Sequence, residues 1–340
     1  MTGQTVECVP NFSEGRDREK IRKIADSIAC IPGITVRDIS SGEAANRTVI
    51  TFTGNPEAVC EAAFNAVRTA AGLIDMRLHK GTHPRIGATD VLPLIPVCGI
   101  SLEECAMLAR RLAERIFTEL GIPCYCYEAS AFIPERKRLE VCRKGEYESL
   151  AEKIADPELR PDFSPASFTE TAAKAGATVV GARNFLIAVN FNLDTESAGL
   201  ASEIAKDVRE SGRTVTGTDG RKTRIPGTLR GCKAIGWYID EYGIAQVSMN
   251  ITDSDAVPLH RAFTEVCRAA ERRGAKVTGT EIIGLLPRKC LLDAGRYFLS
   301  SAGPAGAAPA DTDDWTLLET AVKAMNLDEL RPFDIRSRLI

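Results

Sequence analysis

Two of the three histidines in this 340-residue chain, His79 and His83, lie in the short segment L-H-K-G-T-H-P-R. Histidine is suited to metal binding and to general acid/base catalysis, because its ordinary pKa of ~6.5 lies near neutral pH. A separation of four residues would place both rings on one face of a helix. Gly81 and Pro84 oppose a helix at this point, and proline also disfavours helical geometry at the residue before it.

The surroundings of the two histidines argue against a zinc site. Lys80 occupies the position of the glutamate in H-E-x-x-H. Catalytic zinc also needs a third protein ligand, which the sequence does not show. Two interpretations stay open, namely an acid/base histidine on a loop that leads into a strand, or two solvated histidines in an ordinary turn. Arg85 and Asp90 follow closely enough to take part in the first.

Three further segments carry patterns that could be functional. The segment from Gly176 to Arg183 has the glycine spacing of a phosphate-binding loop but lacks its lysine and its hydroxyl residue. We therefore interpret its glycines as turn residues at a domain junction. The basic, Gly/Thr-rich segment Arg209–Lys233 is expected to be a loop, either solvated or in contact with carboxylates. The turn Ile39–Arg47 is either ligand-facing or a plain hairpin.

The elements that would position these residues follow one order twice along the chain. In the first half, strands are expected at Thr5–Pro10, Ile34–Ile39, Arg47–Thr53 and Asp90–Val97, with helices at Asp17–Cys30 and from Pro56 to about Ala71. A capping box at Ser101–Glu104 predicts a further helix, followed by a strand at Pro123–Tyr127. The order β-α-β-β-α-β is that of a ferredoxin-like unit.

The second half repeats this order. Strands are expected at Phe185–Leu193, Cys232–Asp240, Ile244–Thr252 and Lys276–Leu286, with helices at Thr195–Glu210 and Pro258–Arg273. A linker with short helices (Lys144–Gly181), a low-complexity loop (Ser300–Asp314) and a final helix (Trp315–Leu330) complete the chain. The fold class is therefore expected to be α/β (α+β), with two ferredoxin-like βαββαβ subdomains at 1–180 and 181–340. Burying the helix-free faces against each other would make the two sheets face each other.

Composition excludes several classes of protein. The net charge of −3 argues against a nucleic-acid or membrane-surface partner, because both need a basic excess. We expect neither a signal peptide nor a membrane span, since no basic-then-apolar N-terminal pattern and no apolar run of ~18 residues is present. The eleven cysteines form no C-x-x-C pair and are expected to be reduced thiols in a cytoplasmic protein, without structural zinc.

A series of short polar motifs runs along almost the whole chain, from about residue 5 to 335. The series comprises E-C-V-P-N-F-S-E-G from Glu7, N-R-T-V from Asn46, I-D-M from Ile74, H-P-R from His83, G-A-T from Gly176, G-A-R from Gly181, G-W-Y from Gly236 and A-Q-V-S from Ala245. Together these motifs resemble the formiminotransferase domain family. Each motif is short, but their combination in this order is specific.

The resemblance implies a folate enzyme of histidine degradation, which moves the formimino group from N-formimino-L-glutamate to N5 of tetrahydrofolate. It implies facing sheets around a folate-binding tunnel and a homodimer formed through the N-terminal subdomain. The catalytic histidine of the family matches His83, which would act as base and then as acid, with no metal or redox cofactor required. The folate-contacting segment of the family matches about Ser164–Ala173 and continues toward Gly176, so Ser164, Phe168 and Gly176 are candidate contacts.

Six further residues are candidates for the site by their position in the motifs: Asp38, Arg47, His79, Arg85, Asp90 and Arg183. The three arginines would orient the carboxylates that both substrates carry. The two aspartates would orient the catalytic histidine or bind the pterin, and the second histidine would support the first.

The chain departs from the family at Thr82, where glutamate is common, and at Ile86, where methionine is common. Some relatives fuse this domain to a cyclodeaminase, and we expect that activity to belong here to a separate enzyme. Two alternatives stay open: an enzyme of the same fold that uses 5-formyltetrahydrofolate, and a folate-binding protein without turnover.

Overall fold

A computed structural model describes residues 3–217, 220–302 and 312–340. They form two compact units, Met1–Asn184 and Phe185–Ile340, each with its own hydrophobic core. No helix in these ranges combines the length and the apolar character that crossing a membrane requires. The expected α/β class with two subdomains is confirmed.

The first unit consists of one sheet and the helices that cover it. The strands are β1 (Thr5–Cys8), β2 (Asn11–Phe12), β3 (Thr35–Gly42), β4 (Arg47–Gly54), β5 (Thr89–Cys98), β6 (Cys124–Glu128) and β7 (Thr178–Ala182). The helices are α1 (Arg18–Ala29), α2 (Pro56–Leu73), α3 (Leu102–Leu120), α4 (Leu139–Cys142), α5 (Leu150–Ala155) and α6 (Glu170–Ala175), with 3-10 turns at Pro134–Lys137 and Tyr147–Ser149.

Side-chain caps explain where the three long helices of this unit begin. Asp17 accepts hydrogen bonds from two backbone N–H groups at the start of α1, and Asn55 accepts one at the start of α2, just before Pro56. Ser101 and Glu104 form the predicted capping box of α3.

The strands of the first unit lie in the order β3-β4-β1-β5-β7-β6, and β2 continues from β1 between β4 and β5. The pairs among β3, β4, β1 and β5 are antiparallel, whereas β7 lies parallel to both β5 and β6. The strands β1, β3, β4 and β5, with α1 and α2, form the expected β-α-β-β-α-β unit.

The two faces of this sheet differ in what covers them. Val6 and Cys8 belong to the core beneath α1, α2 and α3, so Glu7, which alternates with them, belongs to the second face. Near β6 this second face is covered by α4 and α5, where Val91, Tyr125, Tyr127 and Val179 pack with Cys142, Leu150 and Ile154. The segment between β6 and β7 is therefore part of the core and not only a linker.

The second unit has a four-stranded antiparallel sheet in the order β11-β12-β8-β13. Its elements are β8 (Ile187–Leu193), α7 (Ala198–Val208), β9 (Arg213–Thr216), β10 (Lys222–Ile225), β11 (Cys232–Ile239), β12 (Ile244–Ile251), α8 (Leu259–Glu271), β13 (Val277–Ile283), α9 (Arg288–Ala302), α10 (Asp314–Met325) and α11 (Ile335–Arg338). The sheet and the helices α7 and α8 again have the β-α-β-β-α-β order.

Two expectations about irregular segments are wrong. The segment after Gly176 is not a junction turn, because Thr178–Ala182 is the fully buried strand β7 inside the first sheet. Gly181 is needed there, since a Cβ would lie 2.3 Å from Cδ1 of Tyr127. Arg209–Lys233 is not a plain loop, because it contains the β9–β10 hairpin. The expected low-complexity loop lies mostly in 303–311, outside the described residues.

Candidate functional site

The half-buried imidazole of His83 uses only one of its two ring nitrogens within the protein. Nδ1 lies 2.7 Å from the carbonyl oxygen of Pro84, which can only accept, so Nδ1 carries the proton. Nε2 has no hydrogen-bond partner in the described part of the chain. Burial, followed by the charges of Arg47 and Arg143, lowers the pKa of His83 to about 3. The ring is therefore neutral near pH 7, and Nε2 can accept a proton.

A fully buried carboxylate, Asp90, holds two arginines beside this ring. Its Oδ2 accepts from Nη1 of Arg47 at 2.7 Å and from Nη1 of Arg143 at 2.8 Å, and its Oδ1 accepts the backbone N–H of Ile86 at 2.9 Å. Although burial opposes ionisation, the two arginines hold the pKa of Asp90 below its ordinary value. Two guanidinium groups against one carboxylate leave a positive charge uncompensated beside a neutral imidazole.

The carbonyl of Pro84 links the imidazole to this charge cluster. It accepts from Nδ1 of His83 and also from Nη1 of Arg143, at 3.1 Å. Arg47 is fixed separately, because its Nε donates to Oδ1 of Asn11 at 3.2 Å. The ring and the two guanidinium groups are thus held by groups that contact one another.

His79 is buried, and both of its ring nitrogens are engaged. Nε2 lies 2.9 Å from the carbonyl oxygen of Asn46, and Nδ1 lies 3.4 Å from Nε of Arg85. Since the carbonyl accepts and the guanidinium donates, Nε2 carries the proton and Nδ1 has no free lone pair. Burial lowers the pKa of His79. The residue is placed to tie its loop to the turn between β3 and β4.

Arg85 is compensated by two carboxylates. Its guanidinium contacts Glu146 at 2.9 Å and Glu148 at 2.6 Å, and it is buried, although the glutamates are more exposed. The hydrogen bonds from Arg85 lower the pKa of Glu148 to about 2. A depression of about 420 Å³ is lined by Lys80, Gly81, Arg85, Gly145, Glu146 and Glu148. A role of Arg85 in carboxylate binding stays a prediction.

Close backbone approaches fix the loop that carries the two histidines. A Cβ on Gly81 would lie 2.3 Å from the carbonyl oxygen of Ala45. Gly176, at the end of α6, has a φ of +71°, and a Cβ there would lie 2.3 Å from the carbonyl oxygen of Ile86. Glycine at 176 therefore lets α6 approach the residues that follow His83. This packing role is separate from the predicted folate contact at Gly176, which stays a prediction.

Asp38 and Arg183 make contacts of their own in the first unit. Asp38 pairs with Thr51 in register and accepts from Oγ of Ser40 at 2.6 Å. Thr51 is four residues from Arg47 on β4, which corresponds to ~13 Å along the strand. Arg183 follows β7, and its Nη1 donates to the carbonyl of Asn184 at 3.1 Å.

The candidate folate segment begins before α6 and runs into it. Ser164 is half-buried and donates to the carbonyl of Pro165 at 3.2 Å, and Phe168 is 40% exposed. An exposed aromatic ring can stack on a planar ligand, so the position is compatible with the predicted contact. The roles of both residues stay predictions.

The sequence did not reveal Arg143. It stands just before the segment interpreted as a linker, without any periodic pattern, and its contact with Asp90 spans 53 residues. The only available signal was the cluster of charges in R-K-G-E-Y-E, two basic residues followed by two acidic ones, of which Glu146 and Glu148 contact Arg85.

A second buried carboxyl group, Glu7, was also missed. Glu7 is 1% exposed, and its Oε2 has no hydrogen-bond partner among the described residues. Burial raises the pKa of Glu7 to about 7, against the opposing charges of Arg183 and Arg37. A glutamate inside the short buried strand T-V-E-C was the signal that could have identified it.

The arrangement can transfer protons at Nε2 of His83 and can bind an anion at the arginines. Within the described ranges, no group of three or more histidine, cysteine or acidic residues is placed to hold a metal ion. The two loop histidines are not arranged as a pair of ligands either, since both nitrogens of His79 contact the protein.

Two family models and several known proteins match this chain over most of its length. The family model described as the formiminotransferase domain, N-terminal subdomain, matches residues 5–183, and that of the formiminotransferase domain matches residues 188–340. The chain is 43% identical over 343 residues to formimidoyltransferase-cyclodeaminase of Rattus norvegicus, covering 99% of this chain but 59% of that protein.

Two shorter relatives match over nearly their whole length. Glutamate formimidoyltransferase of Streptococcus pyogenes serotype M1 is 42% identical, with 86% of this chain and 93% of that protein covered. The protein of the same name from Thermoplasma acidophilum is 37% identical, with 95% and 99% covered. Since the two family models together match residues 5–183 and 188–340, this chain belongs to the formiminotransferase family.

Proposed function

We propose that the chain transfers the formimino group of N-formimino-L-glutamate to N5 of tetrahydrofolate, with His83 as general acid/base. The observation that carries this proposal is the free Nε2 of a neutral imidazole beside an uncompensated positive charge. The names of the relatives support the choice of donor. Tetrahydrofolate, with or without a polyglutamate tail, is the co-substrate that the family resemblance implies.

The reaction requires one proton to move twice. N5 of tetrahydrofolate attacks the formimino carbon, a C–N bond forms, and the electrons of the C=N bond move to the imino nitrogen. Nε2 of His83 takes the proton from N5 and then gives it to the nitrogen of glutamate. The bond between that nitrogen and the carbon breaks as C=N reforms, which yields 5-formiminotetrahydrofolate and glutamate. Such transfer contributes on the order of 10²–10⁴-fold to the rate.

The Pro84 carbonyl supports this role of His83. By accepting from Nδ1, it keeps the lone pair on Nε2 before the first transfer. It also faces the Nδ1 proton of the imidazolium that exists between the two transfers. The lowered pKa of the resting ring keeps Nε2 unprotonated before the first transfer, and the imidazolium formed by that transfer can give its proton to the leaving amine.

Assembly and the fate of the product follow from the family and remain part of the proposal. The chain acts as a homodimer in the cytoplasm, and a cyclodeaminase activity consumes its product. The formimino donor is favoured over a formyl donor because the relatives that the chain covers almost completely are named for formimidoyl transfer to or from glutamate.

Glutamate release tests the proposal directly. Purified protein with formiminoglutamate should release glutamate only when tetrahydrofolate is added, and a metal chelator should leave the rate unchanged. Glutamate formed from a formyl donor, but not from formiminoglutamate, would favour a 5-formyltetrahydrofolate enzyme. Saturable binding of tetrahydrofolate with no glutamate released from either donor would favour a folate-binding protein.

A further inference from the structure

Arg143 is only partly used by the protein. One of its nitrogens, Nη1, contacts both Oδ2 of Asp90 and the carbonyl of Pro84. In the part of the chain that the structure describes, Nε and Nη2 of Arg143 have no hydrogen-bond partner. Its side chain is 16% exposed, compared with 10% for Arg47 and none for Asp90. Arg143 therefore has free donors that point to no protein group.

Asp90 does not need Arg143 for its own charge balance. Arg47 already pairs with the carboxylate, and the backbone N–H of Ile86 satisfies the second oxygen. Arg47 is also the more fixed of the two guanidinium groups, because Asn11 holds its Nε. The uncompensated charge thus belongs to Arg143, and an arginine with free parallel donors is suited to a carboxylate.

We propose that Arg143 binds the α-carboxylate of formiminoglutamate and so selects an α-amino acid derivative as donor. The proposal rests on the proposed function. In this donor the α-carboxylate is separated from the formimino carbon only by the α-carbon and the nitrogen. The γ-carboxylate is farther away by two methylene groups. An arginine that shares the Pro84 carbonyl with the catalytic imidazole is placed for the nearer carboxylate.

Paired changes in the enzyme and in the donor test this contact. The donor analogue is 4-formiminoaminobutyrate, which lacks only the α-carboxylate, and the enzyme variant is Arg143→Gln. The wild-type protein should prefer formiminoglutamate over the analogue by on the order of 10² in kcat/KM, since a charged hydrogen bond pair is removed. In R143Q this preference should fall to about 10-fold or less, with the KM for tetrahydrofolate unchanged.

Matched controls isolate the α-carboxylate. Arg138→Gln removes an exposed arginine that pairs with Glu140 in the same segment, and it should retain the full preference. Formiminoglutamine lacks only the charge of the γ-carboxylate. Its kcat/KM relative to that of formiminoglutamate should be the same for the wild-type protein and for R143Q. A preference for formiminoglutamate that survives in R143Q, or a rise in the KM for tetrahydrofolate instead, would overturn the inference.

Equilibrium binding separates this inference from the proposed function. Calorimetric titration with formiminoglutamate, without tetrahydrofolate, should give a Kd on the order of 10²-fold higher in R143Q. If the wild-type protein bound the donor through Arg143 but released no glutamate, only the proposed function would fail. If the wild-type protein turned over and R143Q bound the donor equally well, only the inference would fail. R143Q leaves the Arg47–Asp90 pair intact, so the variant should stay folded. Its melting temperature, measured beside that of R138Q, reports the cost of the lost contact between Arg143 and Asp90.

Discussion

His79 and His83 are four residues apart in one loop, but the protein uses their rings differently. The ring of His79 donates to the Asn46 carbonyl and accepts from Arg85, so it has no lone pair available for a substrate. The ring of His83 donates only to the carbonyl next to it and leaves Nε2 without a partner in the described residues. The number of occupied ring nitrogens, more than the spacing, separates a structural histidine from a reactive one.

The charges around the two histidines also differ: those beside His79 are paired within the protein, and those beside His83 are not fully paired. Beside His79, Arg85 contacts the carboxylates of Glu146 and Glu148. Beside His83, Arg47 and Arg143 share the single carboxylate of Asp90. One cluster is fully compensated and the other retains a positive charge. A substrate anion is therefore attracted to the second cluster and gains little at the first.

The largest effect is expected for His83→Ala. Loss of the proton acceptor should lower kcat by on the order of 10²–10⁴-fold, because no other free imidazole nitrogen lies in this loop as described. The ring makes one hydrogen bond to the adjacent residue, so the melting temperature and the Kd for tetrahydrofolate should stay close to the wild-type values. Wild-type turnover in this variant would show that the acid/base group is elsewhere.

A smaller effect on activity and a clear effect on stability are expected for His79→Ala. The substitution leaves the Asn46 carbonyl and Nε of Arg85 without their partner in a buried place, which should cost ~1–3 kcal/mol in the free energy of unfolding. The loss in kcat should stay below about 10-fold, since proton transfer does not pass through this ring. Urea unfolding and steady-state kinetics measure the two quantities. A variant as stable as the wild type but inactive would restore a mechanism with two histidines.

A still smaller effect is expected for Thr82→Ala, between the two histidines. Thr82 is exposed, and its hydroxyl and its backbone N–H both approach the carbonyl of Ala44 at 3.2 Å. The backbone contact survives the substitution, so stability should fall by only about 0.5 kcal/mol and kcat/KM should change less than about 3-fold. Steady-state kinetics would contradict this if kcat/KM fell as far as in the H83A variant.

The smallest effect concerns pH. The pKa of His83 lies at about 3, below its ordinary value, so the free enzyme keeps the basic form as pH falls from 7 to 5. Since kcat/KM reports groups of the free enzyme, protonation of His83 should change it less than about 2-fold over this range. The pH profile of kcat/KM checks this. A fall of kcat/KM on the acid side with a midpoint near pH 6.5, absent in H83Q, would contradict this expectation. It would show that the pKa of His83 is at its ordinary value.

The elements of the fold were accessible from sequence because their signals are local. Asn55-Pro56 and the capping box at Ser101 mark helix starts within a few residues, and the structure has both. The strand β7 was missed for the opposite reason. A buried parallel strand appears in sequence only as a short apolar run, and its glycines suggested a turn instead.

The candidate site was accessible only in part. Residue pattern alone left His83 between catalysis and an ordinary turn, and the family resemblance favoured catalysis. The features that distinguish His83 from His79 depend on contacts between residues far apart in sequence. His79 and Asn46 are separated by 33 residues, and Arg143 and Asp90 by 53. Such contacts are set by strand register and by the packing of α4, which no local pattern encodes.

The buried glutamate in β1 makes folding of the first unit a proton-uptake process. The ordinary pKa of Glu7 is 4.5 and its folded pKa is about 7, so between these values the folded chain binds a proton that the unfolded chain has released. Stability supplied by this group is complete below pH 4.5 and is lost as pH rises through 7, by ~3 kcal/mol on the usual conversion. At a pH between 4.5 and 7, unfolding therefore releases this proton to the buffer. Unfolding enthalpies measured in two buffers should then differ by the difference between the ionisation enthalpies of those buffers. Mildly alkaline conditions thus loosen the same unit whose His83 is already in its basic form.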